Sequence, residues 1–264
     1  MASLSTSQQA YMDEFNAKNY LLTSYAEGTG ILFGEWTNFA LQNLHKTFTE
    51  DGVSGDTLLD FGTGASIYQL LSACEVFNEI IVSDLLEQNR VEFQKWLKKD
   101  SDAFDWTHII KYVCELEGNS SREDCEKKAE KLRTKVKEVL QCDALKRNPY
   151  DPVVLPPVDC LLSTLCLDVV SKDMKLYVDV LKNFKDLIKP GGHILVLGTI
   201  NATFYHAGKK RFSVMPMNKD LLEAAYKEAG YKIQKAVYMP RIDKSKAHIA
   251  DFQGKYFIHA RTPK

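Results

Sequence analysis

Short apolar runs alternate along this chain with longer amphipathic stretches, and that alternation points to a largely parallel sheet covered by helices. The first run, 57–61, leads into Gly62-Thr63-Gly64. The second, 80–83, ends at Asp84, and 67–74 between them reads as a helix that completes a βαβ unit. A third strand is expected at 109–114, followed by a charged helix with Leu132, Val136, Val139 and Leu140 on one face, in the manner of an insertion. A fourth strand at 158–164 precedes a helix whose stripe is Met174, Tyr177, Leu181, Phe184 and Ile188. Pro190-Gly191-Gly192 stops that helix, and a fifth strand, 193–197, follows at once. Asn218 is placed to cap a helix carrying Leu221, Leu222, Ala225 and Tyr226, with Gly230 as its stop. Two final runs, 232–238 and 255–260, have only loop between them and read as an antiparallel hairpin at the sheet edge.

The expected fold class is therefore α/β: a doubly wound, mostly parallel seven-stranded sheet with an antiparallel edge hairpin. At 264 residues the chain is long for one domain, but α/β folds of this length form one core, so residues 1–264 are read as a single domain. Within it, 56–264 form the core. Residues 1–55, with Trp36, Ala40, Leu44 and Phe48 at spacings of four, form a helical cap over the C-terminal strand ends, where open α/β sheets bind ligands.

Hydrophobic residues at 45% and charged residues at 26% suit an ordinary globular core. With 34 basic against 35 acidic residues, the net charge of -1 exerts no long-range pull on phosphate backbones or anionic lipid. Nucleic acid and membrane partners are disfavoured, and Lys127-Lys128 and Lys209-Lys210-Arg211 read as solvated surface. The first ten residues are polar and no apolar run approaches the ~20 residues that cross a bilayer, so a cytoplasmic protein is expected. Six cysteines without a CxxC pair read as reduced thiols, with Cys74, Cys160 and Cys166 buried, and the histidines lack metal-ligand spacing. Nothing implies an obligate interface, and a monomer is expected.

The glycines of Gly62-Thr63-Gly64 stand where a strand turns toward a helix, so the backbone can approach a ligand closely. The dinucleotide fingerprint needs a third glycine, and Ile67 occupies that place, which disfavours NAD. S-adenosylmethionine fits better, because its sulfonium and amino acid portions call for carboxylates, backbone groups and aromatic walls. Asp60 could accept from the ligand ammonium directly or through water. Asp84 could take both ribose hydroxyls, or cap the helix that begins near Glu87. Asp143, in Cys142-Asp143-Ala144, could accept from the adenine amine or be an ordinary surface acid. Asp168, just past the fourth strand, could assist an amine that must lose a proton, or could cap a helix.

Several stretches together carry a resemblance to a family: Leu59-Asp60-Phe61-Gly62-Thr63-Gly64, Lys95-Trp96-Leu97-Lys98-Lys99, Cys114-Glu115-Leu116-Glu117-Gly118-Asn119 and Leu187-Ile188-Lys189-Pro190-Gly191-Gly192, with the run from Ile67 through Glu75. From about Tyr11 to Arg261 the chain resembles the nicotinamide, phenylethanolamine and indolethylamine N-methyltransferases, which have a Rossmann-like class I methyltransferase fold. The resemblance implies that Tyr20 and Tyr25 close over S-adenosylmethionine, with Asp60, Gly62, Thr63, Gly64, Tyr68 and Thr164 near its methionine end. It implies that Asp84 and Asn89 bind ribose and that Asp143 and Ala144 meet adenine. Tyr20 and Asp168 would be catalytic, with Leu165, Gly198, Thr199, Ala202 and Tyr205 around the methyl acceptor.

This sequence departs from the family in places. Thr63 replaces a commoner serine and keeps the hydroxyl. Gly198 stands where nicotinamide-methylating members carry an aspartate that holds the carboxamide, and Ala202 and Val214 replace serines there. The expected acceptor is a small amine or heteroaromatic nitrogen more apolar than nicotinamide. Thioether S-methylation and cofactor binding without catalysis are the alternatives.

Overall fold

The computed structural model describes residues 8–119 and 121–264, so residues 1–7 of the expected cap lie outside the described residues. Its strands are β1 (Gly55–Phe61), β2 (Phe77–Asp84), β3 (Val136–Gln141), β4 (Val158–Thr164), β5 (Ile188–Ile200), β6 (Phe204–Ala207), β7 (Lys210–Ser213), β8 (Lys232–Pro240) and β9 (Gly254–Arg261). Seven of them form one sheet in the order β3-β2-β1-β4-β5-β9-β8, while β6 and β7 make a separate hairpin. The strands from β3 to β5 run parallel, and β9 is antiparallel to both β5 and β8. Leu58, Leu59, Ile80, Val82, Leu161 and Leu162 are buried. Burial on both faces of the sheet is why these strands read as unbroken apolar runs.

The helices are α1 (Gln8–Glu14), α2 (Ala17–Tyr25), α3 (Glu35–Thr49), α4 (Glu87–Lys98), α5 (Thr107–Leu116), α6 (Arg122–Lys135), α7 (Leu167–Val170), α8 (Met174–Phe184) and α9 (Lys219–Glu228). All four residues of the Trp36, Ala40, Leu44 and Phe48 stripe of α3 are buried, and Phe48 meets Phe77 of β2 edge-on with ring centroids 5.8 Å apart. This helix therefore covers a face of the sheet, while α1 and α2 stand over the strand tips. Asn218 caps α9 by accepting from the Leu221 N–H at 2.9 Å, and Gly230 ends it with φ of 79°.

Four local expectations are corrected. Residues 109–114 are not the third strand; they lie in α5, with Ile109, Ile110, Val113 and Cys114 buried on one side. The third strand is β3, which takes Val136, Val139 and Leu140 out of the expected charged helix. That helix, α6, begins at a Ser121–Asp124 capping box and ends at Lys135, because the outer edge of β2 needs a hydrogen-bonding partner. The expected helix at 67–74 is two single 3₁₀ turns, Tyr68–Leu70 and Ala73–Glu75. Here Ser66 and Gln69 hydrogen-bond backbone carbonyls of Thr63 and Ser66, which competes with α-helical pairing. Ile188 belongs to β5 rather than to the helix before it, and Pro190-Gly191-Gly192 lie inside that strand.

Gly198 faces Tyr256 across the β5–β9 ladder, and a Cβ at 198 would lie 2.4 Å from the phenol oxygen. The tyrosine therefore requires a glycine. Gly198→Ala is expected to lower unfolding free energy by about 1–3 kcal/mol, the usual cost of overpacking a core. In a Tyr256→Leu background the same substitution should cost less. Urea unfolding checks both, and equal losses in the two backgrounds would mean that Tyr256 is not the obstacle.

Candidate functional site

The C-terminal tips of β1, β2, β4 and β5 open into a cavity of about 480 Å³, within the range of small-molecule sites. Residues of α1 and α2 and of the β6–β7 hairpin complete its walls. Tyr20 meets Tyr25 and Tyr205 edge-on at 6.0 and 5.9 Å, and Tyr205 stacks on Phe212 at 5.5 Å. These rings join the cap to the hairpin.

Gly62 and Gly64 have φ of 69° and 62°, a region that favours glycine. A Cβ at Gly62 would collide with Cys166, whose sulfur would lie 2.2 Å away. Asp84, at the tip of β2, accepts from Gly64 N on Oδ2, and from Leu86 N and Asn89 Nδ2 on Oδ1, each at 2.9 Å. It therefore caps the turn into α4 as well as facing the cavity. Three of roughly four lone-pair sites are filled, and the open one is on Oδ2. Asn89 also lines the wall, and its buried Oδ1 has no partner among the described residues. Asp143, two residues beyond β3, accepts from Leu145 N and Gln8 Nε2, both at 3.0 Å, with Ala144 beside it in the wall.

Asp60 is placed differently from the expectation. It is fully buried behind the glycine loop and does not form the wall, because its carboxylate turns toward Thr63 and Gln69 and accepts from both. Its other oxygen has no partner among the described residues, and burial pushes the carboxyl up to about 7. Asp60 thus braces the loop through Thr63, which does line the cavity. Tyr68 likewise stands one layer back, against the ring of Tyr25 at 5.3 Å. Tyr20, Tyr25 and Thr164 are in the wall itself.

At the other end, Asp168 of α7 is buried, and Thr199 Oγ1 donates to its Oδ2 at 3.4 Å. Burial pushes this carboxyl up to about 6. Leu165, Thr199, Ala202, Tyr205 and Val214 line the same end. Gly198 does not, since Tyr256 occupies the direction in which its side chain would project. Sequence reading missed Phe204, Ala250 and Phe252 here, and Gln8, Tyr11 and Phe15 under the cap. Ala250 and Phe252 had one weak signal, as apolar residues beside Ile249 in a loop otherwise rich in charged and polar side chains. The six cysteines are free thiols, with Cys142 and Cys166 in the cavity wall.

These residues suit an adenosyl sulfonium ligand. A buried amide oxygen without a partner adjoins a carboxylate with an open lone pair, a pairing that matches a vicinal diol. The glycine loop leaves room for close approach, and among the described residues no side chain in the wall other than His206 and Lys172 can carry a positive charge.

A model of the NNMT/PNMT/TEMT family matches residues 3–262. The chain is 46% identical to nicotinamide N-methyltransferase of Homo sapiens over 235 residues, covering 89% of this chain and 88% of that one. It is 42% identical to indolethylamine N-methyltransferase of Oryctolagus cuniculus, covering 97% and 96%. It is 35% identical to phenylethanolamine N-methyltransferase of Homo sapiens, covering 94% and 88%. Among solved structures, the [4+2]-cyclase SpnF aligns with a TM-score of 0.60 at 14% identity, covering 98% and 97%. A SAM-dependent methyltransferase of Methanosarcina mazei aligns at 0.53 and 10% identity, covering 80% and 93%. These two likenesses concern the fold alone. The sequence matches reach further: the chain belongs to the NNMT/PNMT/TEMT family and is an S-adenosylmethionine-dependent methyltransferase.

Proposed function

We propose that this protein, acting as one domain of residues 1–264, methylates the nitrogen of a small apolar amine or heteroaromatic compound. One observation carries the reading: a single cavity has carboxylates Asp84 and Asp143 at one end and a lone buried carboxylate, Asp168, among apolar and aromatic side chains at the other. A net charge of -1 exerts no long-range pull on phosphate backbones or anionic lipid, which supports small molecules rather than nucleic acid or membrane as partners, and a cytoplasmic monomer belongs to the same reading.

In this reading Asp84 and Asn89 hold the ribose hydroxyls, Asp143 and Ala144 meet the adenine edge, and Gly62, Thr63, Gly64 and Thr164 border the methionine portion. Asp60 acts behind them, keeping the loop in place. When bound, S-adenosylmethionine supplies a sulfonium methyl group that an aligned nitrogen displaces in line. The chain's task is then alignment and dehydration. Tyr20 and Tyr25 close the cavity against water, and Tyr205 presents a flat face to the acceptor. Asp168 takes or holds the proton of an alkylammonium, and at neutral pH, above its raised value of about 6, it is ionised for that role. A neutral ring nitrogen needs no such help. A carboxamide would find no polar side chain at 198, because Tyr256 closes that direction.

Three outcomes are expected. Asp84→Ala should weaken the S-adenosylmethionine complex by about 1–3 kcal/mol, roughly 5- to 150-fold, as measured by calorimetry. An unchanged dissociation constant would remove the ribose assignment. In a panel of arylalkylamines, pyridines and thioethers scored by S-adenosylhomocysteine release, apolar amines should exceed nicotinamide in kcat/KM by about tenfold or more. Asp168→Asn should cost the amines more than the pyridines. Equal efficiency on nicotinamide, or release with thioethers only, would contradict the proposed acceptor. A tight cofactor complex with no release for any acceptor would contradict catalysis itself.

A further inference from the structure

The loop between β8 and β9 seats Ala250 and Phe252 in the acceptor end of the cavity, and it is organised from within by one buried side chain. Arg241 Nη1 donates to the carbonyls of Ala250 at 2.6 Å and Phe252 at 3.4 Å, and its Nε donates to the carbonyl of Asp243. Its guanidinium carbon lies 4.1 Å from the centre of the Phe252 ring. Its own backbone N–H donates to Gln253 O at 2.8 Å. A single planar fork thus holds three carbonyls of the loop and one face of a cavity-lining ring. A lysine, with one compact charge, cannot reproduce that geometry.

The outer side of the loop is tied to α3, to the segment after α2 and to the β6–β7 hairpin. Ile242 N and Asp243 N donate to the two carboxylate oxygens of Glu35 at the start of α3, at 2.9 and 3.0 Å. Lys246 reaches the carbonyl of Thr29 at 2.6 Å, and His206 N donates to Ile249 O at 2.9 Å beside Tyr205. The loop is held at these points and, between Ala250 and Phe252, by Asp251, whose carboxylate accepts from Thr203 N, Thr203 Oγ1 and Phe204 N, while Arg241 grips the Ala250 and Phe252 carbonyls from the inner side.

We infer that Arg241 is a specificity-determining positioning residue, one that never touches the acceptor but fixes where Ala250 and Phe252 stand and so limits its width. This rests on the proposed reading of that end as the acceptor site. The test compares the full-length protein with Arg241→Lys and Arg241→Gln, using phenethylamine and the wider naphthylethylamine as probes. Both variants should keep S-adenosylmethionine affinity within about twofold, while KM for phenethylamine rises about ten- to a hundredfold with a smaller change in kcat. The preference between the two probes should narrow or reverse. Hydrogen exchange should quicken at the amides of 249–252 and stay unchanged in β1, β2 and β4.

Several results would overturn the inference: cofactor affinity falling in step with acceptor KM, Arg241→Lys matching the unaltered protein, unchanged exchange at 249–252, or failure of both variants to fold. If the unaltered protein turns over neither amine, the proposed acceptor class fails. The exchange measurement, read with cofactor affinity, still decides whether Arg241 shapes the loop.

Discussion

Strands β1 and β4 lie side by side, yet the chain leaves their tips in opposite directions, toward β2 and β3 on one side and β5 on the other. No connection crosses the gap between those tips, so a crevice opens there, as it does in other doubly wound sheets. Everything that lines the cavity depends on that gap. The Asp84 carboxylate spans from β2 to the loop after β1 through its bond to Gly64 N, and this contact holds the glycine loop open toward the crevice. Asp60 supports the same loop from beneath through Thr63 and Gln69. The two acids therefore differ in role: Asp84 keeps a lone pair free toward the cavity, and Asp60 is enclosed at a cost in ionisation that its raised pKa reflects.

The proposed acceptor end is built from parts far apart in sequence. Asp168 follows β4, Thr199 and Ala202 follow β5, Tyr205 and Phe212 come from the hairpin, and Ala250 and Phe252 come from the last loop. The aromatic contacts among Tyr20, Tyr205 and Phe212 couple this end to the cap. Gly208 N bonds Thr23 Oγ1 at 3.1 Å, and Lys210 pairs with Glu14 at 3.0 Å, so the hairpin and the cap are joined by polar as well as ring contacts. The cap and the hairpin thus form one connected roof over the cavity.

The central strands were legible in the sequence because a parallel sheet buried on both faces leaves continuous apolar runs, and the acids at their tips were legible as strand ends. Residues 109–114 were misread because a short buried helix segment rich in isoleucine and valine looks the same as a buried strand. Val136, Val139 and Leu140 fit a helical face by spacing, but pairing with the exposed edge of β2 decided their state. What could not be read was side-chain direction. Asp60 precedes the glycines yet is enclosed behind them against Thr63 and Gln69, and the consequence of Gly198 depends on Tyr256, 58 positions later in the chain and opposite it in the ladder. The Arg241 loop left no periodic signal, since irregular backbone held by carbonyl contacts has none.

The proposed roles of Asp84, Asn89, Asp143 and Asp168 all depend on where an adenosyl ligand sits. A crystal structure of the protein with S-adenosylhomocysteine measures this directly. It should place the ribose hydroxyls within hydrogen-bond distance of Asp84 Oδ2 and Asn89, with the adenine beside Asp143 and the sulfur directed toward the Asp168 end. A ligand bound elsewhere, or a ribose turned away from Asp84, would contradict it.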